Sequence, residues 1–197
     1  MNKIFGHFKT ITTHKIVVMK ECFKIGLYRQ GLLHDMSKYG PTEFFEGCKY
    51  YQGTASPHLK ERAAKGYSAA WLHHKGRNKH HFEYWNDLDM KDHVYKSVKM
   101  PIKYVKEMFC DRIAACKIYL GKKYTDSAAL DYFIKKRAKD LMYPETALLL
   151  EEWLRYLAIN GEKKVTTLAK EKRRRKTQRF AGVMAAFLAV VLIVVSV

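Results

Sequence analysis

The sequence predicts an all-α protein, a helical bundle followed by one C-terminal transmembrane helix. Apolar residues recur at helical spacing along most of the chain, with proline at several predicted helix starts and glycine at several predicted ends. No Asn-Gly or Asp-Gly pair flanked by alternating apolar residues indicates a β-hairpin. The final segment, residues 180–197, contains no charged residue, which is typical of a membrane span.

Four helices are predicted in the first part of the chain. They cover residues 4–25, 28–35, 41–53 and 60–74. Gly26 suits the end of the first helix, and Pro41 suits the first turn of the third. The pair Ser56-Pro57 marks a loop before the fourth helix. A turn over Lys75–Lys79 then separates two pairs of histidines.

Three more helices are predicted before the basic C-terminal region. They cover residues 101–120, 127–139 and 144–160. Proline suits the first turn of the first and last of these helices, and a glycine follows each of the same two helices. The last helix carries a stripe that we expect to be buried, formed by Leu148, Leu149, Trp153, Leu154 and Leu157.

The composition bounds the organisation of the chain. A length of 197 residues with 48% hydrophobic content suits one domain with an appendage and excludes wholesale disorder. The four cysteines lack a metal-binding spacing and no secretory signal opens the sequence, so free cytosolic thiols are predicted. We divide the chain into a helical domain (1–161), a basic linker (162–179) and an anchor (180–197).

The two C-terminal segments predict a location at a membrane. As a helix, residues 180–197 would extend about 27 Å, close to the ~30 Å thickness of a bilayer core. Residues 162–179 hold nine Lys or Arg and two Glu. A basic cluster before an apolar span predicts a tail-anchored protein whose N-terminal domain faces the cytoplasm.

The basic stretch 163–179 is also expected to bind anionic lipid. A buried C-terminal helix and a nucleic-acid-binding tail are the alternatives for this region. No recognisable nucleic-acid motif is present, so no specific nucleic-acid partner is predicted.

Histidines and carboxylates indicate a metal centre. The adjacent His34 and Asp35 offer a nitrogen and a carboxylate to one ion, and the carboxylate can bridge to a second ion. The other candidate ligands are His14, His73, His74, His80, His81 and Asp111. Asp111 falls in the middle of an apolar helix, where a carboxylate is unusual unless it is metal-bound or paired, for instance with Arg112.

Only one histidine of each adjacent pair is expected to bind an ion, because successive helical residues point about 100° apart. We select His74 and His81 and keep His73 and His80 as alternates. Five other titratable residues are expected to be solvated: His7, His58, His93, Glu43 and Glu83. For the two glutamates, the alternatives are a proton shuttle or a hydrogen bond to a metal ligand.

The order His … His-Asp … His … His … Asp resembles that of the HD-domain superfamily of metal-dependent phosphohydrolases, over roughly residues 10–120. The stretch His34-Asp35-Met36-Ser37-Lys38 is similar to the His-Asp-Ile-Gly-Lys form of its two-metal branches, and residues 71–85 look like an uncharacterised HD-like bacterial family. One departure is that the cyclic-dinucleotide branch carries Gly-Tyr-Pro after its histidine pair, where this chain has Phe-Glu-Tyr-Trp. The resemblance therefore does not imply that substrate.

The resemblance implies an HD-type helical bundle and a metal-dependent phosphohydrolase. Its ligands would be His14, His34, Asp35, His74, His81 and Asp111. The additional histidines imply two divalent ions, expected to be Fe or Mn, although Zn, Co or Ni also suit imidazole and carboxylate ligands. Asp35 and Lys38 would be catalytic, and Lys38 and Arg77 would bind a small phosphorylated substrate.

Two other functions share these ligands, so the sequence leaves them open. The first is a di-iron oxygenase, because myo-inositol oxygenase and related enzymes are similar in the order of their histidine and aspartate ligands. The second is a non-enzymatic interaction module that holds metal for structure or senses a ligand. Iron with oxygen consumption would favour the first, and retained metal without turnover would favour the second.

Overall fold

The computed structural model describes residues 2–167, which are mostly helical, as predicted. Its helices are α1 (Lys3–Lys24), α2 (Tyr28–Leu33), α3 (Pro41–Lys49), α4 (Pro57–Lys65), α5 (Ala69–Lys75), α6 (Ile102–Leu120), α7 (Ala128–Lys135) and α8, whose described residues are 144–167. Short 3-10 helices cover Met36–Tyr39, Phe82–Tyr84, Gly121–Lys123 and Ala138–Leu141. Strands β1 (Asn86–Asp89) and β2 (Val94–Ser97) form an antiparallel pair.

The core lies where α1, α6, α7 and α8 meet. Helix α6 contributes Val105, Phe109 and Ile113, and α7 contributes Phe133. Helix α8 adds a buried stripe of Leu150, Leu154 and Leu157. The predicted stripe on α8 was therefore wrong at one position, because Leu148 is 57% exposed.

The inner face of α1 is partly polar. Ile11, Val18 and Cys22 are buried on it, and so are His7, His14 and Glu21. Their spacing of three or four residues places all six on one side of the helix. Several apolar residues of α1 point outwards instead, among them Ile4, Phe8 and Ile16. This inward polar stripe brings His14 to the interior of the protein.

Strands β1 and β2 correct the prediction of a purely helical chain. Asn86 pairs with Ser97 and Asp89 with Val94. The connection over residues 90–93 is Met-Lys-Asp-His, and His93 adopts a left-handed φ of 52°. The hairpin is mostly exposed and lies between the last predicted histidine ligand and α6.

Several predicted helix boundaries were also wrong, among them the ends of α3, at Lys49 instead of residue 53, and of α7, at Lys135 instead of residue 139. The helix expected over 60–74 is two helices, α4 and α5, because Gly66 ends α4 with a φ of 81° and the Ser68 hydroxyl accepts a hydrogen bond from Trp71 N at the start of α5. Helix α2 ends at Leu33, so Asp35 is not helical and has a left-handed φ of 53°.

Within residues 2–167, none of the helices combines the length and the apolar character that a membrane crossing requires. This finding corrects the predicted fold class, a bundle with a single transmembrane helix, and the predicted location as a single-pass membrane protein. The segment 180–197 on which both predictions rested, and most of the basic stretch 163–179, lie outside the described residues.

Helix α8 remains packed on the bundle beyond the predicted domain boundary at residue 161. Gly161 has a φ of 74°, but the described part of α8 continues past it to residue 167. The Glu162 carboxylate forms ion pairs with Lys117 Nζ at 2.6 Å and with Lys24 Nζ at 3.3 Å. Val165 packs against the core. The first residues of the predicted linker thus join α8 to α1 and α6.

Candidate metal centre

The predicted ligands meet between α1, α5 and α6. His14 comes from α1 and Asp111 from α6, while His74 comes from α5. His34 and Asp35 follow the end of α2, and the left-handed backbone of Asp35 lets the chain turn there. His80 and His81 lie in the turn after α5.

Asp35 lies at the middle of the cluster and is almost fully buried. Its Oδ2 is 3.3 Å from His34 Nε2 and 3.6 Å from His14 Nε2. Its Oδ1 is 3.3 Å from His74 Nε2 and 3.4 Å from His80 Nε2. Each carboxylate oxygen therefore faces a different set of imidazoles.

These contacts define two donor groups that share Asp35. The first donor group is His14, His34, Asp35 and Asp111, and the second donor group is Asp35, His74, His80 and His81. In the first group, Asp111 Oδ1 lies 2.9 Å from His14 Nε2 and 3.6 Å from His34 Nε2. The four donor atoms of the second group all lie within 4.8 Å of one another, and His81 Nε2 is 2.9 Å from His74 Nε2.

Unsatisfied buried atoms show that these donors fit a metal ion. Within the part of the chain that the structure describes, Nε2 of His34 and His80 and Oδ1 of Asp35 are buried without a hydrogen-bond partner. The same holds for Nε2 of His14, because its 2.9 Å contact with Asp111 Oδ1 lacks the geometry of a hydrogen bond. Buried polar atoms without partners are costly, and these four face one another. The buried His and Asp clusters could thus hold a metal ion.

Two glutamates orient the imidazoles from behind. Glu107 Oε1 accepts a hydrogen bond from His34 Nδ1 at 3.0 Å and lies 3.2 Å from His80 Nδ1. Glu43 Oε2 accepts one from His74 Nδ1 at 2.7 Å. A proton on Nδ1 leaves the Nε2 lone pair free, which is the tautomer that an ion needs.

The electrostatics of the cluster favour charged carboxylates. Burial alone would raise the pKa of Asp35, but His34 and Lys38 hold this pKa well below its usual range. The pKa of Asp111 is likewise held low, against burial, by His14 and His34. Burial lowers the pKa of His81, and the neighbouring His80 lowers it further. Burial lowers the pKa values of His34 and His74, but Asp35 outweighs burial and raises both, so a divalent cation would displace a proton from each of these imidazoles.

Of the two predicted substrate-binding residues, the structure brings one to the cluster. Lys38 Nζ forms an ion pair with Asp35 Oδ2 at 2.6 Å, although the lysine lies in a 3-10 helix and not in an α-helix. Arg77 is exposed, and its guanidinium donates to the carbonyl of His73 at 3.4 Å. Arg77 is therefore turned away from the donor groups.

The structure keeps His74, the selected residue of the first histidine pair, and brings both residues of the second pair to the cluster. His74 faces Asp35, while His73 donates to Glu43 Oε1 at 2.7 Å and joins neither donor group. Both His80 and His81 belong to the second donor group, because they lie in a turn where the 100° separation of helical neighbours does not hold.

The predicted solvation of five titratable residues was mostly wrong. His7 and Glu43 are buried, and His58 and Glu83 are half-buried, whereas His93 is exposed as predicted. Glu107 was missed altogether. A signal for it exists, because Glu107 lies four residues before Asp111 and so shares its face of α6.

A family model described as a family of unknown function, DUF5662, matches residues 3–156. The chain belongs to this family. The matched range contains every residue of both donor groups and both orienting glutamates, so the candidate centre lies entirely inside the DUF5662 region. The match ends before the basic stretch that begins at residue 163.

No curated protein gives a significant match to the chain, and no solved structure does so either. The resemblance to the HD-domain superfamily accordingly stays a prediction.

Proposed function

We propose that this protein is a metal-dependent phosphohydrolase of the HD type, which hydrolyses a small phosphorylated substrate with two divalent ions. The observation that supports the proposal most is the position of Asp35, whose Oδ2 faces the first donor group and whose Oδ1 faces the second. A carboxylate placed in this way could offer one oxygen to each of two ions, and two ions would activate a water and neutralise phosphate charge.

The donor types support Fe or Mn as the ions of choice, with Zn, Co or Ni also compatible. When bound, two such ions lower the pKa of a water and neutralise charge on phosphate oxygens. The first donor group offers two imidazoles and two carboxylates, and the second offers three imidazoles and the shared carboxylate. Both sets are mostly buried, so the surroundings exclude bulk water and strengthen electrostatic contacts.

Lys38 would contact the substrate phosphate. Its ammonium lies 2.6 Å from Asp35 Oδ2, and about a fifth of its side chain (22%) is exposed. Burial lowers the pKa of Lys38, but Asp35 and Asp111 outweigh it and raise that pKa, so the amine stays charged. A cation held beside the shared carboxylate can stabilise an anionic oxygen of the substrate.

Glu107 and Glu43 would act only through the imidazoles that they hold. They touch neither the substrate nor its reacting atoms in this proposal. By fixing Nδ1–H of His34, His80 and His74, they keep three Nε2 atoms aimed at Asp35 and its neighbours.

The proposal is tested by elemental analysis of the full-length protein after anaerobic loading with Fe or Mn, beside the variants His34→Ala and Asp111→Ala. We expect about two equivalents of metal in the parent and fewer in both variants. The variant His93→Ala is the control, because His93 is exposed in the hairpin turn. A parent without metal after loading would contradict the proposal.

The loaded protein is then assayed with a panel of phosphomonoesters and cyclic nucleotides for release of phosphate or opened ester. Turnover that disappears in Asp111→Ala supports the hydrolase. Oxygen uptake with bound iron and no ester hydrolysis would instead support the di-iron oxygenase, and bound metal without either reaction would support a binding module.

A further inference from the structure

Arg112 and Glu83 are two charged residues close in sequence to the predicted ligands, and each of them buries one polar atom without a hydrogen-bond partner among residues 2–167. Arg112 follows Asp111 directly on α6, and Glu83 lies two residues after His81. The two unpartnered atoms are Nε of Arg112 and Oε2 of Glu83. Neither atom is accounted for by the ligands or by the glutamates that orient them.

Arg112 is poised for an anion by its surroundings. Its guanidinium carbon lies 5.5 Å from the centre of the Phe133 ring, and Phe133 is fully buried. The charges that act most on Arg112 are those of the carboxylates Asp111 and Glu83. Among the described residues, neither carboxylate forms an ion pair with Arg112. The salt bridge to Asp111 that the sequence suggested is therefore absent there, and the face of an aromatic ring takes its place.

A buried Nε–H group without an acceptor is costly unless a ligand supplies one. Arginine stays charged even when it is partly buried, and its planar fork matches two oxygens of a phosphate. Packing against Phe133 restricts the plane of the fork without using its N–H groups. Arg112 therefore keeps its donors available for an anionic group of the substrate.

Glu83 offers the complementary feature. Its side chain is half-buried, it experiences the charge of Arg112, and its Oε2 can accept a hydrogen bond that no described residue supplies. A bare anion would leave this acceptor unsatisfied. A molecule that carries a hydroxyl or amino donor near its phosphate would satisfy both residues at once.

We infer that Arg112 and Glu83 form a subsite that selects hydroxyl-bearing phosphomonoesters, the class of sugar phosphates and nucleotides. Arg112 binds phosphate oxygens, and Glu83 accepts a hydrogen bond from the organic part of the same molecule. The substrate class rests on the proposed phosphohydrolase function, but the binding geometry of this pair does not depend on turnover.

Phosphonates test the subsite separately from catalysis, because a phosphoester hydrolase does not break their C–P bond. The probes are propylphosphonate and 2,3-dihydroxypropylphosphonate, titrated calorimetrically into the full-length, metal-loaded protein. We expect the dihydroxy compound to bind about fivefold to tenfold more tightly, as expected for one extra hydrogen bond. Equal binding of the two probes, or no binding of either to protein that contains metal, would overturn the inference and leave the proposed function standing.

Variants assign the two roles. Arg112→Gln should weaken binding of both probes about tenfold or more, since a charge-assisted hydrogen bond is lost. Arg112→Lys keeps the charge but not the fork, so it should fold as the parent does and recover only part of the affinity. Glu83→Ala should weaken only the dihydroxy probe. The control Arg155→Gln changes an exposed arginine that is paired with Glu151 at 2.7 Å.

Circular dichroism and metal content are measured on every variant. An Arg112→Lys protein with parental metal content and parental affinity for both probes would refute the role of the fork. Equal losses for both probes in Glu83→Ala would refute the selective role of Glu83. The protein could also discriminate between the two probes but bind no metal or hydrolyse no ester. That result would contradict the proposed function and leave the subsite standing.

Discussion

Glu107 Oε1 lies 3.0 Å from Nδ1 of His34, and the same oxygen lies 3.2 Å from Nδ1 of His80. His34 belongs to the first donor group and His80 to the second. One carboxylate oxygen therefore orients an imidazole in each group. Burial and these two imidazoles act on Glu107 in opposite directions, and the imidazoles prevail and lower its pKa.

Replacing Glu107 should weaken metal binding at both donor groups. We expect Glu107→Gln to lower the affinity for a divalent ion about 10- to 100-fold, because the amide is a poorer acceptor and fixes the imidazole tautomer less well. Competition with a chromogenic chelator measures this affinity. Glu145→Gln is the matched control, since Glu145 is an exposed glutamate paired with Lys99. Parental affinity in Glu107→Gln would show that the carboxylate is only structural.

Asp35→Asn and Asp111→Asn should differ in how much metal they lose. Asn tolerates the left-handed φ of 53° at position 35, so the substitution removes the charge with little backbone strain. Because Asp35 faces both donor groups and Asp111 only the first, Asp35→Asn should lose both proposed ions and Asp111→Asn about one. Elemental analysis of the two variants decides this, and identical metal content would contradict a shared Asp35.

A pair of leucines on α8 tests the position of the core. Leu154 is fully buried, whereas Leu148 on the same helix is 57% exposed. We expect Leu154→Ala to lower the free energy of unfolding by about 2–5 kcal/mol through the cavity that it leaves. Leu148→Ala should change it by about 0.5 kcal/mol or less. Urea denaturation measures both, and similar losses would mean that α8 packs through a different face.

Glu162 should contribute stability that disappears in acid. Burial raises the pKa of Glu162, but Lys117 and Lys24 outweigh this effect and lower the pKa below its ordinary value of 4.5. The contribution is therefore complete above that value and is lost as the pH falls through the lower pKa of the folded state.

The measurement is the difference in free energy of unfolding between the parent and Glu162→Gln across the acid range. We expect the parent to be more stable by about 1 kcal/mol or less near neutral pH, because the ion pairs are partly solvated. This difference should shrink below about pH 4.5. Glu152→Gln, at an exposed position of the same helix, is the matched control, and a constant difference for Glu162→Gln would contradict the ion-pair explanation.

Local signals explain which parts of the fold the sequence predicts. Pro41 begins α3 and Pro101 caps α6, while Gly26 and Gly121 follow helix ends with positive φ, as expected from their positions. The break before α5 was missed although the sequence contains its signals, a glycine at a helix end and Ser68 as an N-cap.

The hairpin could not be predicted by the same means. Its connection of Met-Lys-Asp-His contains no glycine or asparagine, and its left-handed residue is His93. Both strands are also mostly exposed, so no alternation of buried and exposed residues marks them.

The candidate site was predictable in its residue types but not in its arrangement. The two pairs of adjacent histidines and the pair His34-Asp35 stand out in the sequence. Glu107 does not, because it is one of nineteen acidic residues and only its contacts across the fold distinguish it. His7 and His14 are buried because α1 turns a polar stripe inwards. A rule that places only apolar residues inside does not predict the burial of these two histidines.

The position of Asp111 on α6 has a consequence for biosynthesis. The second donor group is complete once residue 81 has left the ribosome, whereas the first must wait for α6. A nascent chain thus acquires its donors in a fixed order, and α6 supplies Asp111 together with Glu107. An ion captured before α6 has emerged would be held by three histidines and Asp35 alone. An ion delivered after release from the ribosome would meet both donor groups at once.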